Sequence, residues 1–258
     1  MSTGSSLCVI RHLLVIVLLL LQVPTVSAGQ LTIAAASDLR FAMDELIVAF
    51  RQAHPADMAD VVYGSSGNFN AQIRQGAPYD LYFSADIAYA QDLARDGFAA
   101  SQVQRYALGR LVLWSRQPDT PALSLASLVE PRFTRIAIAN PQHAPYGMRA
   151  VEALRAAGVW ERVEAKLVYG ENIAQTAQFV QSGAAQIGII ALGLALSPEL
   201  LKAGSYSLLP ETLHEALEQG FIITSRARDN VLAAEFAAYM VSAEARAVLD
   251  RYGFSLPE

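Results

Sequence analysis

Along this chain, short apolar runs alternate with segments whose apolar residues recur at helical spacing. Residues 31–36 (Leu-Thr-Ile-Ala-Ala-Ala) form a strand-length apolar run that stops at Ser37-Asp38. From Leu39 onward, Ala42, Met43, Leu46, Ile47 and Phe50 mark one buried helix face. The arrangement repeats. Asp60-Val61-Val62-Tyr63 leads through Gly64-Ser65-Ser66-Gly67 into a segment with Phe69 and Ile73 on one side. Residues 81–85 read as a buried strand, with Asp86 capping a helix over 87–95 and Asp96-Gly97 closing it. Residues 106–114 are extended with Gly109 inside, and Gln117-Pro118-Asp119-Thr120-Pro121 breaks the pattern. Strands then follow at 135–139, 167–169 and 186–191, with helices at 148–157 and 173–181 between them. A last helix is expected over 231–252, ended by Gly253.

Strands alternating with helices predict an α/β fold of mostly parallel sheets with helices on both faces. The order fits two lobes joined by two extended crossings, one near Leu108-Gly109 and a return near Phe221-Ile222-Ile223-Thr224. Residues 29–108 plus 223–258 are assigned to the first lobe and 109–222 to the second, with a ligand cleft between them.

Composition adds limits. The 258 residues carry a formal charge of -5 with no basic cluster, which argues against nucleic acid as a partner. Residues 1–28 have the form of a secretory signal peptide. Arg11 and His12 precede the apolar run 13–21, and Val26-Ser27-Ala28 is a small-residue cleavage pattern. Removing it takes away Arg11 and the sole cysteine, Cys8, moves the charge to -6, and leaves an exported chain without thiol or disulfide.

Four turns lead from a strand into a helix start through small, hydroxyl or glycine residues: Ser37-Asp38, Ser65-Ser66-Gly67, Tyr146-Gly147 and Asn172-Ile173. In open α/β sheets such turns lie at the carboxyl ends of strands, where ligands bind. Each helix start offers free N–H donors and partial positive charge. Two turns fall in each lobe, so facing lobes hold a dianion by hydrogen bonds alone, without arginine or lysine.

In these segments the chain resembles the periplasmic molybdate-binding proteins of ABC importers. The resemblance rests on residues 34–37 (Ala-Ala-Ala-Ser), 63–67 (Tyr-Gly-Ser-Ser-Gly), 76–86 (Gly-Ala-Pro-Tyr-Asp-Leu-Tyr-Phe-Ser-Ala-Asp), 140–147 (Asn-Pro-Gln-His-Ala-Pro-Tyr-Gly) and 251–254 (Arg-Tyr-Gly-Phe). It implies a type II-like periplasmic binding protein fold, a monomer that closes around one molybdate or tungstate ion. The partners it implies are a membrane permease and its cytoplasmic ATPase. Carried over by position, Ser37 and Ser66 supply hydroxyl and N–H donors, with Ser65 the alternative register. Tyr146 and Ile173 supply backbone N–H groups. Family members often carry a tyrosine where this chain has Ala191, and the hydroxyl of Tyr146 is a candidate replacement. Asp38 is expected to face outward and cap its helix, offering only its N–H. The other reading has it accept a proton from a protonated oxyanion such as hydrogen phosphate.

No cofactor, free metal ion or catalytic residue is expected. Gly64-Ser65-Ser66-Gly67 lacks the spacing of a nucleophile elbow, which argues against an exported serine hydrolase. His54, His143 and His214 stand in no metal motif, although the loop of His143 brings it toward the cleft. Sulfate is the rival ligand within the binding-protein class, because donors alone do not separate it from molybdate.

Overall fold

The computed structural model describes residues 29–117 and 123–255. The signal-peptide reading of residues 1–28 and the proline break at 118–121 lie outside them. Two five-stranded sheets form the two lobes. The first has the order β2-β1-β3-β10-β4, built from β1 (Gln30–Ala36), β2 (Met58–Gly64), β3 (Leu81–Ser84), β4 (Gln104–Gly109) and β10 (Leu217–Ile223). The second has the order β7-β6-β8-β5-β9, from β5 (Leu111–Ser115), β6 (Ile136–Ala139), β7 (Leu167–Gly170), β8 (Ile187–Ala191) and β9 (Ser205–Leu208).

Each sheet is mixed. In the first, β1 pairs in parallel with β2 and β3, while β10 pairs antiparallel with both β3 and β4. In the second, β6 pairs in parallel with β7 and β8, while β5 pairs antiparallel with β8 and β9. One strand per sheet, β10 or β5, therefore runs against the other four. It is in each case the strand that has just arrived from the other lobe.

The central strands are apolar because helices cover both faces. On one face of the first sheet, Leu31, Ile33 and Phe83 pack with Met43, Leu46, Phe50, Phe236 and Leu249 from the helices Arg40–Ala53, Val231–Met240 and Ala243–Arg251. On the other, Ala34, Tyr82 and Ile222 meet Phe69, Ile73 and Leu93. The second lobe packs Trp114, Ile138, Ile189 and Leu154 into its own core. Ala36 and Ala85, at the strand ends of the first lobe, join that core. The lobes thus touch at the carboxyl ends of their strands.

Three expectations need correction. The return crossing is not at 221–224, because those residues lie in or just beyond β10, where Phe221 pairs with Phe83 and Ile223 with Leu81. It lies between Leu208 and Leu217, and Leu217 pairs with Gly109, so both crossings run side by side. The strand β9 went unread because Ser205-Tyr206-Ser207-Leu208 is a short edge strand with little apolar signal. The single C-terminal helix is two, since the Ser242 side chain accepts from Ala245 N–H and starts a new one. Helix Ile87–Arg95 is capped by Asp86 as read, its side chain accepting from Ala88 N–H at 2.9 Å.

Candidate functional site

The four turns come together. Ser37, Ser65, Ser66, Tyr146 and Ile173 line one small cavity between the lobes, with Asp38 and Ala85 beside them and no arginine or lysine in its wall. All six of the turn residues are buried. The cavity is small, about 10 Å³. A wider groove of about 440 Å³, shared with the cavity at Ser37, opens along the helix Ile173–Gln181 and includes Arg40, Tyr63 and Gln178.

The turns are donors by construction. Ser66 and Ile173 are the first residues of their helices, and Tyr146 follows Pro145 at the start of Pro145–Ala156. Their N–H groups have no acceptor within their own helix, and among the described residues none takes another backbone acceptor. Ser66 Oγ accepts from Ala85 N–H at 3.0 Å, so its own proton is free to donate. The Ser66 carbonyl accepts from Tyr82 Oη at 2.8 Å, which fixes the turn from beneath.

The lobes are closed onto each other across these turns. Gly67 N–H donates to the His143 carbonyl at 2.9 Å. A Cβ at Gly67 would lie 2.7 Å from that carbonyl oxygen, so only glycine allows the approach. Ser37 Oγ donates to Asn172 Oδ1 at 3.2 Å and accepts from Ala174 N–H at 3.3 Å. Asn172 also caps its helix through Gln175 N–H at 3.0 Å. Arg149 reaches Asp86 of the first lobe at 3.6 Å and Glu215 at 3.2 Å, with the guanidinium largely buried.

Ser65, His143 and Glu171 form a chain with the residue types of a hydrolytic triad. Ser65 Oγ is 2.9 Å from His143 Nδ1, and His143 Nε2 is 3.5 Å from Glu171. The ring is reversed relative to the catalytic arrangement, in which Nε2 faces the serine. Glu171 is mostly exposed and shares its oxygen with Asn68 at 2.8 Å. The chain joins one lobe to the other. It also engages the Ser65 hydroxyl with the opposite lobe.

Asp38 departs from expectation. It does not face outward, and the first helix has no side-chain cap; a short 3-10 turn, Ser37–Leu39, precedes it instead. The carboxylate is 1% exposed. Its Oδ2 accepts from Tyr146 Oη at 3.0 Å and from Gln219 Nε2 at 2.7 Å. Gln219 is held in turn by Tyr106 Oη, which donates to its Oε1 at 2.5 Å. Asp38 Oδ1 has no partner. Burial raises the Asp38 pKa from 3.8 to about 6, against the pull of the Gln219 and Tyr146 hydrogen bonds and the N–H groups of Asp38 and Leu39. The Tyr146 hydroxyl is pushed well above its usual range by burial and by Asp38.

This network sits on the hinge. A Cβ at Gly109 would lie 2.3 Å from Tyr146 Oη and 2.6 Å from Gln219 Nε2, which accounts for the glycine inside the extended run. The Tyr146 hydroxyl is therefore tied to Asp38 rather than left free to replace the tyrosine absent at Ala191. Ala191 itself is fully buried at the end of β8 opposite Leu111 and is not part of the cavity wall. Sequence reasoning missed Gln219 and Tyr106, which carry no local motif and meet Asp38 only through sheet pairing. Among the described residues no cluster of His, Cys, Asp or Glu is suited to a metal ion.

A family model described as bacterial extracellular solute-binding protein matches residues 31–255. The chain is 33% identical to the molybdate-binding protein ModA of Azotobacter vinelandii over 230 residues, covering 89% of this chain and 91% of that protein. It is 29% identical to the molybdate-binding protein ModA of Rhodobacter capsulatus, covering 88% and 89%. Among solved structures, the periplasmic molybdate-binding protein of Azotobacter vinelandii superposes with a TM-score of 0.83 at 30% identity, covering 88% of this chain and all of that one.

Proposed function

Because the chain belongs to the bacterial extracellular solute-binding proteins, within the ModA family of molybdate-binding proteins, we propose that it captures molybdate in the cleft and hands it to an ABC importer. One observation carries this reading: one small cavity is walled by four strand-to-helix turns, two from each lobe, without a cationic side chain. A dianion there accepts hydrogen bonds from N–H groups of Ser37, Ser66, Tyr146 and Ile173 and from the Ser66 hydroxyl. Hydrogen bonds to a charged acceptor contribute roughly 1.5–3 kcal/mol each. Ser37 adds its hydroxyl by exchanging Asn172 for the ion.

Capture proceeds by hinge closure about the paired crossings at Gly109 and Leu217. The ion bridges turns of both lobes and so favours the closed form over the open one. The closed face then docks on a membrane permease driven by a cytoplasmic ATPase. The site is periplasmic once residues 1–28 are removed, and the protein acts as a monomer. Tungstate, of the same charge and shape, is bound as well.

A thermal-shift panel of molybdate, tungstate, sulfate, phosphate and chromate tests the assignment. Molybdate and tungstate are expected to raise Tm strongly, since stabilisation grows with ligand concentration over Kd. Strong stabilisation by sulfate with none by molybdate would overturn it in favour of a sulfate-binding protein.

A further inference from the structure

We propose that Asp38 couples oxyanion capture to the uptake of one proton, held between its Oδ1 and an oxygen of the bound ion. The inference rests on the reading of the cavity as an oxyanion site. Three features of the geometry support it. Asp38 is part of the cavity wall and is buried. Its two oxygens are unequal: Oδ2 already accepts two hydrogen bonds, whereas Oδ1 has no partner. The orientation of the donors is also set from outside. Tyr106 donates to Gln219 Oε1, so the Gln219 amide turns its N–H group toward Oδ2. Tyr146 likewise donates to Oδ2. A proton reaching this carboxylate therefore lands on Oδ1.

The groups facing Asp38 offer no positive charge. They are Tyr146 from the helix Pro145–Ala156, Gln219 from β10 and, behind it, Tyr106 from β4. The backbone N–H groups of Asp38 and Leu39 also favour the charged carboxylate. His143, with its ring engaged with Ser65 and Glu171, and Arg149, paired with Asp86 and Glu215, are further titratable groups at the lobe junction. A carboxylate and a dianion in one dry cavity repel. One proton removes the conflict and turns Oδ1 from a repelling acceptor into a donor. Molybdate carries no proton near neutral pH, so the proton comes from solvent onto Oδ1. Hydrogen phosphate brings its own and gives Oδ1 a hydrogen bond to accept. The side chain thus makes the site sensitive to the protonation of the ion, which its N–H donors are not.

The test is titration calorimetry of the purified protein with sodium molybdate at pH 6, 7 and 8, in pairs of buffers with different ionisation enthalpies. Wild type is expected to take up close to one proton per ion at pH 8, with affinity falling about tenfold per pH unit above neutrality. The Asp38→Asn variant is expected to take up none and to lose the pH dependence of affinity across this range. Wild-type binding without proton uptake overturns the proposal. So does uptake that survives in Asp38→Asn and disappears in His143→Gln. If the asparagine variant does not fold, an infrared difference spectrum of wild type decides, because a new protonated-carboxyl band must appear when molybdate is added. If molybdate fails to bind at every pH, the functional reading falls. The same proton count is then made with whichever panel ion binds, and binding by none overturns both.

Discussion

At the level of single residues, Asp38 and Ser66 show how one side chain serves both fold and site. Asp38 is held in the closed hinge by Tyr146 and Gln219, yet its charge is poorly solvated. Its pKa is raised on folding, so the folded protein binds this proton more tightly than the unfolded chain does. The stability it contributes is fully present below pH 3.8 and is lost as pH rises through about 6. Ligand-free Asp38→Asn is therefore expected to gain stability over wild type between pH 4 and 7, by up to about 3 kcal/mol. Denaturant melts across that range check it, and a constant difference would refute the buried charge. Ser66→Ala removes the proposed anion donor and the acceptor of Ala85 N–H together. Molybdate affinity is expected to fall roughly 10- to 100-fold by calorimetry, with a loss of about 1–3 kcal/mol in ligand-free stability.

Among the elements, the strand-to-helix turns line the cavity and are readable locally. A helix start is marked by side chains within a few residues of it, as at Asp86, Asn172 and Ser242. The turn at Ser37 was legible as a helix start, but its chemistry was not. A 3-10 turn leaves Ser37 and Asp38 uncapping and points both into the lobe junction. The return crossing was placed too late because Phe221-Ile222-Ile223 is apolar and extended, which suits a hinge and a buried strand equally. Only its pairing with β3 and β4 assigns it to the first lobe. The Gly67 turn offers a test at this scale. Gly67→Ala places a Cβ against the His143 carbonyl of the opposite lobe and leaves each lobe intact. Molybdate affinity is expected to fall at least about tenfold, since binding draws on closure, while far-UV circular dichroism is unchanged. Wild-type affinity in this variant would show that the close approach is dispensable.

For the whole molecule, two mixed sheets of matching order exchange one strand each across paired crossings. That exchange brings the carboxyl ends of both sheets face to face and gives the hinge its short reach, with Arg110 alone between β4 and β5. Polar contacts between the lobes include Gly67–His143, Ser65–His143, Ser37–Asn172, Asn68–Glu171, Tyr146–Asp38 and Arg149–Asp86, and apolar ones join them where Ala36, Ala85 and Phe41 pack on the core of the second lobe. Small-angle scattering is expected to show a smaller radius of gyration with molybdate than without it, and no compaction at saturating ion would remove closure from the mechanism.

The sequence by itself determined the alternation of strands and helices, the two-lobed α/β class and the four turns that line the cavity. Periodicity, caps and turn residues act over a few positions, so they leave a local record. The tertiary structure alone decided which lobe owns β10, that Ser65 meets His143 of the other lobe, and that Asp38 turns inward. Those outcomes depend on partners far apart in the chain. Tyr146 lies 108 residues from Asp38 on the opposite lobe and Gln219 lies 181 away on the same lobe, and no local pattern encodes hydrogen bonds between residues that only the folded chain brings together.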